Sequence, residues 1–136
     1  MIDADGTHRY EGWLGTLRFH AVMDRGCSWW NPRGRDPDYT LQHEQIHFAL
    51  HELAARRLNQ AAAQLVTALH VTADSEQEVV EALRARIGDL FDGHNDAASE
   101  RNRYFDEDTS WGRNAARQEQ WWRNVDEELR ETESWR

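Results

Sequence analysis

The chain has no lysine; all 16 of its basic residues are arginine. We read that as a coding bias and attach no chemistry to it. It has a single cysteine, Cys27, which excludes an internal disulfide framework and a thiolate zinc cage. No apolar run approaches the length of a membrane span. The first residues, Met1-Ile2-Asp3-Ala4-Asp5, lack the basic and apolar regions of a signal peptide. This start fits a cytoplasmic chain, or an extracytoplasmic one whose leader has been removed. Basic charge is scarce beside 25 acidic residues, and the net charge of −9 argues against nucleic acid, whose phosphates would be repelled. Internal repeats, low-complexity segments and phosphate-binding glycine patterns are also missing. What remains is a chain of 136 residues, read as one domain able to hold a core without disulfides. Residues 1–9 and 131–136 are polar ends expected to be loose.

One stretch stands out, His43-Glu44-Gln45-Ile46-His47. Histidines four apart on a helix point the same way, one turn above the other. Their ring nitrogens can grip one Zn²⁺. Glu44 sits about 100° round the helix from His43, where it reaches a metal-bound water and serves as general base. The stretch from Leu41 to Leu69 contains neither proline nor glycine and reads as one long helix, starting at Tyr39 or Thr40 and ending near His70. Asp38 or Thr40 would cap it. Both histidines fall on its apolar stripe, in line with Leu50, Ala54, Leu58, Ala61 and Leu65. A buried polar pair needs a partner, and a metal would supply one. His51 is excluded as a third ligand, because eight residues of helix from His43 span about 12 Å.

Before this helix, Trp13 to Met23 alternates with period two and predicts a strand, with a second short strand before it. Trp13, Gly15, Leu17, Phe19, Ala21 and Met23 share one face. Ser28 to Trp30 suggests another brief strand, and residues 31–38, which hold both prolines, read as a loop. After the helix comes a break over Val71 to Asp74. Ser75-Glu76-Gln77-Glu78 is a capping box opening a second helix, with Val80, Leu83, Ile87, Leu90, His94 and Ala98 inward. Gly88 and Gly93 weaken that helix and mark a kink. His94 reads as a satisfied core histidine. The run Asp106 to Gly112 is an acidic corner. A last helix, Arg113 to Arg130, places Ala115, Gln118, Trp122, Val125 and Leu129 on one face, with Trp121 and Trp122 as core and rim packing. The fold class expected is α+β and mostly helical, about three long helices with a small N-terminal antiparallel sheet.

A catalytic zinc takes three protein ligands and keeps one open position. His43 and His47 are two; the third must come from another segment. Asp106, Glu107 and Asp108 are oxygen donors suited to it. No histidine completes the spacing of the metzincins. The chemistry that follows is hydrolysis of a peptide substrate by a zinc-activated water, with Glu44 moving the proton. Tyr39, Tyr104, His20 and Arg18 qualify by type as donors to the oxyanion. Two other readings compete with the zinc metallopeptidase. One is a catalytically impaired zincin scaffold that keeps a metal or only the fold and recognises a protein partner through Trp29, Trp30, Trp111, Trp121, Trp122 and Trp135. The other is a helical structural protein without metal.

The neighbourhood of the motif is similar to a family of bacterial zincin-like proteins, the domain-of-unknown-function 922 family. Leu41-Gln42-His43-Glu44-Gln45-Ile46-His47-Phe48 and Glu52-Leu53-Ala54-Ala55-Arg56 carry the resemblance, with Ser28-Trp29 upstream. Downstream, Phe105-Asp106-Glu107-Asp108-Thr109-Ser110-Trp111, then Asn114, Gln118 and Trp121, answer the family's Tyr-Asp-x-Glu-Thr-x-His, Asn, Gln and Trp. The resemblance implies a zincin-like fold and a zinc-dependent peptidase. The family's tyrosine falls at Phe105, beside Tyr104, and its histidine falls at Trp111, which cannot bind zinc. Asp106 is then the first choice for third ligand and Asp108 the second.

Overall fold

The computed structural model describes residues 2, 4–24, 26 and 37–136, with only the backbone of Pro37. Cys27 and the brief strand expected at 28–30 lie outside the described residues. The fold is α+β and mostly helical. β1 (Tyr10–Trp13) precedes α1 (Pro37–Ala68), β2 (His70–Ala73), α2 (Glu76–Asp108), α3 (Ala115–Glu131) and a terminal 3₁₀ turn (Glu133–Trp135). Among the described residues no helix is long and apolar enough to cross a membrane.

α1 begins two residues earlier than expected, at Pro37. Proline suits the first turn of a helix, where its fixed φ is already helical and its missing N–H would have no partner. Asp38 and Thr40 therefore lie inside the helix and do not cap it. Ile46, Leu50, Leu53 and Leu58 are buried along its inward stripe. α2 opens on the expected capping box: the Ser75 side chain accepts from the Glu78 N–H, and the Glu78 carboxylate accepts from the Ser75 N–H. It then runs unbroken through Gly88 and Gly93 to Asp108. That length carries Asp106 back alongside the start of α1. In α2 the buried residue beside the strand pair is Val79, while Val80 is exposed.

α3 is capped by Asn114, whose side chain accepts from the Arg117 N–H. Its inward residues are Gln118, Trp121 and Val125. Gln118, Val125 and Leu129 lie on the inward face as expected, but Trp121 and not Trp122 points in with them. Trp121 turns inward because its indole N–H donates to Asp108 at 2.8 Å while its ring packs on Phe105 at 5.2 Å. The core is one cluster joining the three helices: Ile46, Ala49, Leu50 and Leu53 from α1, Phe105 from α2, and Trp121 and Val125 from α3, with Leu129 beside it.

The sheet differs from expectation. Its strands are β1 and β2, paired antiparallel from Tyr10 opposite Ala73 to Trp13 opposite His70. The break expected at 71–74 is thus mostly a strand, and the 13–23 strand is not formed beyond Trp13. Residues 14–24 have no regular structure, yet Leu17, Phe19 and Ala21 are half-buried and Arg18, His20 and Val22 exposed. The alternation therefore holds for burial only from Leu17 to Val22, since Trp13, Gly15 and Met23 are exposed and Leu14 is half-buried, and it is false of pairing. Asn59 of α1 supplies the missing partner, accepting from the Phe19 N–H at 2.7 Å and donating to its carbonyl at 3.0 Å. β1 lies flat on α2: a Cβ at Gly12 would stand 2.3 Å from Val79 Cγ1.

The last residues are tied down, contrary to the expectation for 131–136. Asn59 donates to the Trp135 carbonyl at 3.0 Å. Buried Arg56 pairs with Glu52 and donates to the Leu129 carbonyl at 2.7 Å, meeting one of the C=O groups that a helix end leaves free. At the other end, residues 4–9 are exposed, and Ile2 pairs with His8 in an isolated bridge.

Candidate metal centre

His43 is buried and His47 half-buried on the first turns of α1. Asp106 reaches them from the last turn of α2. Its Oδ1 stands 2.9 Å from His43 Nε2 and 2.8 Å from His47 Nε2. These three side chains form the one group among the described residues that could hold a metal ion.

What fixes the two rings is the set of contacts behind them. The Gln118 amide donates to the Tyr39 carbonyl at 3.2 Å and to Gln42 Oε1 at 3.0 Å. Its nitrogen is thereby committed, and its oxygen faces His43 Nδ1 at 2.9 Å. The Asn102 amide donates to the Ala98 carbonyl at 2.8 Å, and its oxygen faces His47 Nδ1 at 2.7 Å. Each Nδ1 must therefore carry the proton and donate to an amide oxygen. Each Nε2 is left with its lone pair aimed at a carboxylate oxygen, which also only accepts. Three acceptors that face one another need a cation between them, either a proton on a ring nitrogen or a metal ion.

The donor set could hold a divalent metal ion, zinc among others. Zn²⁺ takes histidine nitrogen at about 2.0–2.1 Å and carboxylate oxygen at about 2.0–2.2 Å in tetrahedral geometry, which separates ligand atoms by about 3.3 Å. The contacts here need to open by only about half an ångström to reach that value. Nδ1 donation to a fixed acceptor is the usual support behind a ligating histidine. The negative end of the α2 dipole also lies at Asp106, and no basic residue occupies that last turn, so a cation there is favoured.

Phe105 packs the pair from beneath. Its ring stacks on His43 at 4.5 Å and 24°, and meets His47 edge-on at 4.9 Å and 78°. The corner that follows closes over His43. Ser110 and Trp111 have φ of 50° and 53°, and Gly112 has φ of 81°. This left-handed path is uncommon for residues with a Cβ. It is held by the Thr109 hydroxyl, which donates to the Phe105 carbonyl at 2.8 Å and accepts from the Gly112 N–H at 3.3 Å. A Cβ on Gly112 would stand 3.2 Å from His43 Nδ1.

An open cleft of about 340 Å³ is lined by the histidines, Tyr39, Thr40, Glu44, Asp106, Trp111 and Gly112. Glu44 thus borders the same cleft as its neighbouring histidines. The Tyr39 hydroxyl is buried, and burial pushes the phenol above its ordinary pKa. Trp111 is 66 % exposed at the rim.

The structure brings His43, His47, Glu44 and Asp106 together and leaves other candidates out. Asp108 accepts from the Trp121 indole and from Arg117 Nε at 3.0 Å, contacts that hold its carboxyl below the usual range; it does not serve as a ligand. Glu107 accepts from Arg103 at 2.7 Å. Tyr104 points at Trp121, 5.8 Å away, outside the cleft. His51 is exposed, and His94 Nδ1 donates to the Leu90 carbonyl at 2.9 Å, the satisfied histidine expected. Arg18 and His20 do not line the cleft.

Sequence reasoning placed Gln118 on the inward face without its role, and did not single out Asn102 or Gly112. A polar amide on an apolar stripe was the available signal for Gln118. Asn102 lies one helical turn before Asp106, hence on the same face. No protein-family model, curated protein or solved structure matches the chain.

Proposed function

We propose that the chain is a zinc-dependent metallopeptidase in which His43, His47 and Asp106 would hold the ion and Glu44 is the general base. The observation that carries this reading is the meeting of two imidazole lone pairs and one carboxylate oxygen in a cleft that Glu44 also lines. Bound there, zinc would supply a Lewis acid. Glu44 would accept a proton from the attacking water and deliver it to the leaving amine. Among the described residues no hydrogen bond or ion pair occupies its carboxylate. Gln118 and Asn102 hold the imidazoles in the tautomer that ligation requires. The resemblance of the motif helix to the domain-of-unknown-function 922 family points the same way.

A second reading has one observation in its favour. Trp111 stands exposed on the rim where that family carries histidine, as it would in a scaffold that binds metal or protein without cleaving. Metal analysis of the purified protein, beside peptide cleavage by the parent and by Glu44→Gln, separates the two. Stoichiometric zinc with cleavage that Glu44→Gln abolishes supports the peptidase. Zinc without cleavage favours the scaffold, and a protein that binds no zinc overturns the peptidase and supports a helical structural protein without metal.

A further inference from the structure

We infer that the groove between α1 and α3 receives a large apolar side chain of the peptide substrate, next to the bond to be cleaved; this rests on the peptidase reading. The groove has a volume of about 440 Å³, with Ala49 and Val125 on its floor, Leu41 and Phe48 on one bank and Trp122 and Leu129 on the other. That is within the range of small-molecule sites, roughly 300–1,000 Å³. Leu41 and Phe48 lie two turns apart on one face of α1, and both stay nearly half exposed while Val125 beneath is 1 % exposed. The trough is lined almost wholly by apolar groups on an acidic chain, which suits it to an apolar ligand group.

Its position names the ligand. Glu44 lines both this groove and the metal cleft, so the proposed base stands on the ridge they share. The cleft offers polar groups to a peptide backbone, and the groove beside it offers apolar surface to a neighbouring side chain. Asp126 also lines the groove but already pairs with Arg130. Glu44 and the net charge of −9 disfavour acidic side chains there. The class taken is therefore a neutral or basic peptide carrying leucine, methionine or phenylalanine at one position beside the cleaved bond.

The test uses the full chain carrying Glu44→Gln, with Zn²⁺ present, and three blocked hexapeptides that differ at one position, Leu, Ala or Glu. NMR follows the Phe48 amide and the Trp122 indole N–H. The Leu peptide should bind about tenfold tighter than the Ala peptide, about 1.4 kcal/mol, and shift both signals; the Glu peptide should bind weakest. Adding Trp122→Ala, or Leu41→Glu on the other bank, should remove the preference while thermal unfolding stays cooperative. Equal affinity for Leu and Ala, or shifts confined to other residues, overturns the inference. Digestion of a denatured protein mixture by the parent chain separates the two claims. Cleavage without apolar preference overturns the groove alone. Selective binding without cleavage overturns the peptidase and supports the groove as a peptide side-chain site.

Discussion

The Gln118 amide oxygen lies 2.9 Å from His43 Nδ1, across 75 residues of sequence. Because the same amide donates to Tyr39 and Gln42, it cannot turn round, and the ring behind which it sits cannot exchange tautomers freely. Gln118→Leu, close in volume but without the amide, should lower zinc affinity by about 10–100-fold. Helix content should be retained. Competition with a chromophoric chelator measures it, and an unchanged affinity would remove Gln118 from the centre.

Asp106→Ala should lose roughly a hundredfold or more in zinc affinity, since it removes a ligand where outer contacts alone are worth up to about that much. His51→Ala and His94→Ala should match the parent. Thermal scans give a second measure. Zinc at about a hundred times the parent's Kd should stabilise the parent by about 2.7 kcal/mol and Asp106→Ala by no more than about 0.4 kcal/mol. Equal stabilisation of the two would sink the assignment.

Gly112 and Gly6 form a matched pair, with φ of 81° and 84°. Alanine at either carries the backbone strain of a left-handed residue, about 1–2 kcal/mol. Only at Gly112 does the new methyl meet anything, His43 Nδ1 at 3.2 Å, while Gly6 faces open space within 4 Å. Gly112→Ala should therefore weaken zinc binding as well as lower Tm, whereas Gly6→Ala should lower Tm alone. Metal titration of both variants decides the matter.

Gly12→Ala tests the seating of β1. The added methyl would overlap Val79, and overpacking of this kind costs about 1–3 kcal/mol. Pairing it with Val79→Ala, which opens the space, should recover part of the loss in a thermal denaturation cycle. No recovery would mean that the strand does not press on α2 at that point.

The elements read correctly from the sequence were those with a local cause. The HExxH helix and the Ser75–Glu78 capping box are both set within a few residues, and both are present as expected. The β1–β2 pair was hidden because Tyr10 and Ala73 meet only after α1 returns the chain, a relation that no period-two window can contain. The extended run over 14–23 resembled a strand for the same reason in reverse: its alternation comes from lying on helices, with Asn59 in place of a neighbouring strand. The tail looked loose by composition, but Arg56 and Asn59 are committed to it from within α1. Of the acidic corner, only side-chain direction separates Asp106 from Asp108: two residues on a helix differ by about 200°, and Trp121 and Arg117 claim the second.

His47 and Asp106 are 59 residues apart in the chain, at the beginning of one long helix and the finish of the next. An ion shared by them would fasten a hairpin at its open mouth, the end farthest from the connection at residues 69–75. Its removal would let that mouth part first, exposing Phe105 while the closed end by β2 stays shut. Proteolysis after chelation should then begin near the mouth if the centre, once loaded, also acts as a clasp for the architecture.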